Sequence, residues 1–223
     1  RSLSMREMLL ASKLLSEYMH YVINDKHDNV WIAQREGRAK DSNDRTQEAI
    51  LKMMVMGGKG SVVDSLLDLH LVPLAISYEY DPCDFLKAQE FQLKRDIPGW
   101  KKSAQDDIVS MQTGIMGYKG HIHYHAAPCI DAWLRELPAD TPKADIFRII
   151  AEHIDREIHA HYQLFPSNFV ALDMLQGNAA HADKYSAADK AQFEKYLAGQ
   201  LAKIQIENKD EAYLRECILK MYA

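Results

Sequence analysis

Val30-Trp31-Ile32-Ala33-Gln34, running straight into Arg35-Glu36-Gly37-Arg38-Ala39-Lys40-Asp41, is the stretch on which the fold class turns. A short apolar run of this length, bounded by polar residues, has the composition of a strand buried on both faces. Upstream, Ser4 and Glu7 have capping-box spacing, and Met5, Met8, Leu9, Leu15, Met19 and Val22 recur at three- and four-residue intervals. That periodicity predicts an amphipathic helix over residues 5–24. Downstream, helices are expected at 45–56, stopped by Gly57-Gly58, and at 61–69. Leu71-Val72-Pro73-Leu74-Ala75-Ile76-Ser77-Tyr78 then reads as a second strand, with its proline near the start, where a missing amide is tolerated. Strand, helix, strand order argues for a parallel sheet with helices over it.

Further along, residues 84–95 and 103–116 read as helices, and Gly120 to Ala127 alternates as a third strand. From Pro138 onward the strand signal disappears. Thr141-Pro142 places a cap and a first-turn proline before a helix reaching Tyr162, Ser186 with Asp189 starts another, and Asn208 with Glu211 a third. The expected fold is therefore α/β, a mainly parallel sheet flanked by helices over 1–136, with a carboxyl-terminal helical subdomain over 137–223.

Composition narrows the function classes. A formal net charge of -5 and a pI near 6.1 give no basic face for nucleic acid. Cys83, Cys129 and Cys217 are too few and too scattered for a disulfide framework or a zinc knuckle, so they are read as buried thiols of a reducing compartment. No apolar run reaches the roughly 20 residues of a membrane span, and the amino terminus lacks a signal-peptide layout. Arg1-Ser2-Leu3 opens without methionine directly before a helix signal, from which further sequence is expected upstream.

The chemistry is expected at the charged loop. Directly after a buried strand, Arg35, Glu36, Gly37 and Arg38 would stand at the carboxyl edge of the sheet, where open α/β folds bind ligands. Guanidinium forks match phosphate oxygens, the glycine lets backbone approach the ligand, and the glutamate can hold an arginine in place. Together with Val72-Pro73 downstream, this resembles the glycerolipid acyltransferases of the lysophosphatidic acid and glycerol-3-phosphate kind, in which a strand ending in Glu-Gly-Thr or Glu-Gly-Arg is followed by an apolar Val-Pro strand. Gly120-His121-Ile122-His123-Tyr124-His125-Ala126-Ala127-Pro128 is similar to the family's last core strand, so the resemblance spans residues 1–130.

The resemblance implies a histidine and aspartate, separated by four residues and lying before Arg1, that activate an acceptor hydroxyl for attack on an acyl thioester. It implies a donor carried on coenzyme A or acyl carrier protein, a phosphorylated or lysolipid acceptor, and no other cofactor. It also implies a cytoplasmic enzyme of phospholipid synthesis, peripheral at the inner face of the membrane, of which this chain is an inactive portion. Arg1 is matched to an earlier family arginine, joining Arg35, Glu36, Gly37 and Arg38 as the phosphate-binding set, with Val72 and Pro73 on the substrate-site strand. Gln34-Arg35 replaces the family's Phe-Pro before the loop, which leaves the acceptor open.

His20 and Asp25 satisfy the dyad spacing literally, but they fall between the two phosphate motifs, and positions five apart on a helix point about 140° apart. A different class of function is suggested by His121, His123 and His125, which would share a strand face, and by His153, Asp155, His159 and His161; with zinc these would make a metal-dependent hydrolase. No second motif supports it, and no metal ligand set is assigned. A third reading makes the carboxyl-terminal helices, with Phe147, Ile150, Ile154 and Ile158, a non-catalytic docking module.

Overall fold

A computed structural model describes residues 4–35, 44–138 and 140–223 of the chain. It is 59% helical, and its only sheet among the described residues is a two-stranded antiparallel ladder. The expected mainly parallel α/β sheet is therefore corrected. Two causes are visible. Residues 30–33 belong to no strand among the described residues, and Trp31 is 72% exposed. The other two strands, β1 (Leu74–Tyr78) and β2 (Ile122–Ala126), are separated by two helices, α4 (Asp84–Asp96) and α5 (Ala104–Met116). One intervening helix returns the chain for a parallel strand; a second reverses it again and gives an antiparallel one.

Helices form where the periodicity expects them, but the one expected to start at Thr141-Pro142 begins at Ile146 with Asp145 before it, and Asp210 rather than Asn208 caps the last. The first helix, α1 (Met5–Asn24), is capped by Ser4 and Glu7 as the spacing predicts, and the caps at Ser61, Ser103 and Ser186 form in the same way. Further helices are α2 (Glu48–Met54), α3 (Val62–Leu67), α6 (Asp131–Arg135), α7 (Ile146–Ala160), α8 (Pro166–Gln176), α9 (Ala187–Lys203) and α10 (Glu211–Tyr222). None of them is long and apolar enough to cross a membrane.

The chain divides into two compact units. One comprises the described part of 1–38 with 44–75 and 124–162. Its core joins Met19, Leu51, Met54, Leu66, Leu69, Ile130, Leu134 and Ile150. Here α1 is pinned by a close approach: Ser16 Oγ donates to Met54 O and accepts from Gly57 N at 2.8 Å, and a Cβ on Gly57 would stand 2.4 Å from Glu17 N. Only glycine fits there. Elsewhere along its length α1 leaves Met5, Met8, Leu9, Leu10, Leu14 and Tyr18 exposed.

The second unit comprises 76–123 and 163–223 and is built on α4, α8, α9 and α10 around Phe193, Leu197, Leu214 and Ile218. At its centre Asp84 is 0% exposed. Its Oδ2 accepts from Tyr196 and Tyr222 hydroxyls, each at 2.8 Å, and its Oδ1 from Gln200 Nε2 and from Phe85 N at 2.5 Å. Burial pushes its carboxyl up to about 6, against the lowering effect of the tyrosine hydrogen bonds.

A carboxyl raised on folding is stabilised protonated, so its contribution is fully present below the unfolded value near 3.8 and is lost as pH rises through about 6. The difference amounts to about 3 kcal/mol. Urea unfolding of Asp84→Asn and the parent at pH 4 and pH 7 should show the variant gaining, relative to the parent, by roughly that amount on going to pH 7. A pH-independent difference would mean that Asp84 does not titrate in this range.

Candidate functional site

Arg1, Glu36, Gly37 and Arg38 lie outside the described residues, whereas Gln34 and Arg35 before them and Asp44 to Gln47 after them are within. Arg35 Nε pairs with Asp44 Oδ1, and neither atom reaches solvent. Gln47 N donates to Gln34 O at 2.9 Å, closing the two arms on each other. Thr46 then donates twice to Asp155 Oδ1 on α7, from N at 2.8 Å and Oγ1 at 2.6 Å. The Arg35 and Asp44 side chains are still about a third exposed, so solvent weakens the ion pair and the backbone and Thr46 hydrogen bonds hold the segment more firmly. Asp155, which the zinc reading of the sequence would have counted among its ligands, thus holds Thr46 instead.

The second motif lies at the head of β1. Pro73 is buried and its carbonyl accepts from Ala127 N at 2.9 Å, while Val72 is exposed. His20 does not face Asp25: its Nε2 lies 3.2 Å from Met54 O, and Asp25 caps α1 through its backbone. Geometry thus gives no dyad there.

The histidines are distributed among separate partners. His121 Nδ1 lies 2.6 Å from Glu79 Oε2, and the same oxygen accepts His121 N at 2.9 Å. His125 stacks on His161 with centroids 3.8 Å apart, and His161 Nδ1 lies 2.8 Å from Glu157 O. His153 stacks on Trp133 at 3.8 Å, where burial pushes its imidazole below the ordinary value. Strand alternation alone cannot gather these rings when each has a nearer partner.

Two further acid–histidine pairs were missed by the sequence reading. On α8, Asp173 is 2% exposed; it accepts from His181 N, lies 2.8 Å from His181 Nδ1, and accepts from Tyr185 Oη at 2.8 Å. Burial raises this carboxyl, but the donors outweigh it and hold it below the usual range. The other pair is His70 with Asp131, whose Nδ1 and Oδ2 are 2.6 Å apart, beside Cys129. Partial desolvation pushes that thiol up. His70, Cys129 and Asp131 form the one set of three metal-ligating side chains within reach of each other among the described residues. Their separation, 61 residues between His70 and Asp131, hides the set from any motif scan.

Comparison with family models, curated proteins and solved structures finds no match to this chain.

Asp173 shows what a purely structural pair should do. Asp173→Asn keeps the side chain's shape but replaces an acceptor oxygen with a donor facing His181 and Tyr185. Chemical denaturation should show the variant unfolding at lower denaturant than the parent, because a charge-assisted set is broken. An unchanged midpoint would remove the pair from the stability account.

Proposed function

We propose that this chain is the carboxyl-terminal portion of a glycerolipid acyltransferase, moving a fatty acyl group from a thioester donor to a hydroxyl of a phosphorylated or lysolipid acceptor. The observation that carries the reading is the Arg35-Glu36-Gly37-Arg38 loop, whose neck is fixed by the Arg35–Asp44 pair, followed by Val72-Pro73 at the head of a strand. A loop meant to hold a phosphate needs its guanidiniums presented from a base that does not shift when an anion arrives, and the clasp from Gln34 to Gln47 supplies one.

The exposed apolar residues agree with the same reading. Trp31 and the exposed apolar residues of α1 are surface that another part of such an enzyme would cover. Roles within the reaction are then divided. The upstream histidine removes the acceptor proton, its aspartate orients the ring, the thioester carbonyl is attacked by the resulting alkoxide-like oxygen, and the thiol leaves. Arg35 and Arg38 bind the acceptor phosphate, and Arg1 assists.

Acyl transfer followed by thiol release tests this. The 223-residue chain should be inactive, whereas the same chain extended upstream should transfer acyl groups to glycerol 3-phosphate or a lysophospholipid. General-base assistance accounts for about a hundred- to ten-thousandfold of the difference. In the extended protein, Arg38→Ala should raise the KM for the phosphorylated acceptor roughly tenfold or more, by removing a contact worth about 1.5–3 kcal/mol, with the donor KM little changed. Activity in the short chain that is lost with His20→Ala would move the base to α1, and an inactive extended protein would end the acyltransferase reading.

A further inference from the structure

We propose that His70, Cys129 and Asp131 bind a divalent transition-metal ion of the zinc class, independently of acyl transfer. One imidazole nitrogen, one thiol sulfur and one carboxylate oxygen already lie within 4.8 Å of one another. Tetrahedral zinc, with bonds of about 2.0–2.3 Å, holds such donors about 3–4 Å apart. Closure around an ion therefore needs side-chain adjustment and no movement of backbone.

That backbone is fixed from both sides. His70 follows Leu69, and Cys129 and Asp131 flank Ile130; Leu69 and Ile130 are buried in the same core. Ile130 N donates to Leu71 O at 3.0 Å, and Ala127 N to Pro73 O at 2.9 Å. The turn after α3 and the turn before α6 are thus held in register, and all three donors project from residues next to that register. A metal site placed on fixed elements pays little to organise its ligands.

An independent sign comes from Asp131. Its side chain is only 14% exposed, its buried Oδ1 takes no nitrogen or hydroxyl donor among the described residues, and the neighbour that bonds to this carboxylate besides His70 is the Cys129 thiol. Buried carboxylate oxygens ordinarily take stronger donors than a thiol, which leaves this one with capacity for an ion. Oδ2 already faces His70 Nδ1 at 2.6 Å, the position a cation would share with the ring nitrogen. The thiol selects the metal: sulfur with imidazole favours zinc or cobalt over magnesium or calcium. On binding, the Cys129 S–H proton is released to solvent and the thiolate, carboxylate and neutral imidazole offset the ion's charge. His70 is exposed, so water can take the fourth position.

The test is zinc binding by the purified chain in metal-free buffer, read by competition with a chromophoric chelator, with cobalt as a spectroscopic substitute. One equivalent should bind, and the cobalt form should show a thiolate-to-metal absorption band that Cys129→Ser abolishes. His70→Ala and Asp131→Asn should each weaken zinc binding by at least about tenfold. Asp131→Asn preserves shape, so it carries the test should another variant fail to fold, with circular dichroism as the check. Absence of binding, binding equally tight in Asp131→Asn, or binding lost on changing His121, His123 and His125 instead would overturn the assignment. Because the readout is metal occupancy, failure here leaves the acyltransferase reading untouched.

Discussion

The antiparallel pairing of residues 71–80 with 119–130 is the constraint on which the arrangement of chemical groups depends. Beyond the ladder proper, Glu79 N donates to His121 O, Tyr80 N to Lys119 O, Ala127 N to Pro73 O and Ile130 N to Leu71 O. Antiparallel pairing reverses one strand against the other, so residues early in the first segment meet residues late in the second. His70 consequently faces Asp131, and Glu79 faces His121. A parallel sheet would have brought neither pair together.

This explains which parts of the molecule could be read from the chain. Helices with serine caps were legible because their signals, a hydroxyl and a carboxylate three residues on, act within one turn. So was β1, whose Pro73 sits just outside it. Strand direction was not legible in the periodicity, because it depends on a partner more than forty residues away, although the two helices between β1 and β2 held the clue. α8 was overlooked despite Pro166 at its first position and the Asn168 side chain accepting from Phe165 N at 2.8 Å. An aromatic residue in the cap position gave no hydroxyl signal to notice.

The site was legible to a similar degree. The charged stretch at 35–38 was read from its composition, and residues 36–38 lie outside the described residues; the contacts of Asp44, Thr46 and Asp155 were not read, since their partners meet only through folding. Asp155 illustrates the difficulty: as one of several acidic and histidine residues on a helix, it looked like a ligand, and in the fold it accepts two bonds from a single threonine. The strand histidines misled in the same way. Alternation places side chains on a face; it does not decide which neighbour each ring meets first.

Buried carboxylates separate structural from chemical roles. Asp84 is surrounded by donors on both oxygens, and Asp173 by an imidazole, a backbone amide and a phenol. Both oxygens of each carboxylate accept from donors within the same unit, which rigidifies the core. Asp131 differs: its carboxylate is met by an imidazole and a thiol, and its buried Oδ1 takes no nitrogen or hydroxyl donor among the described residues. Its two neighbours are themselves metal-binding side chains, so a cation would satisfy that oxygen and both partners at once, which no external group could do at Asp84 or Asp173.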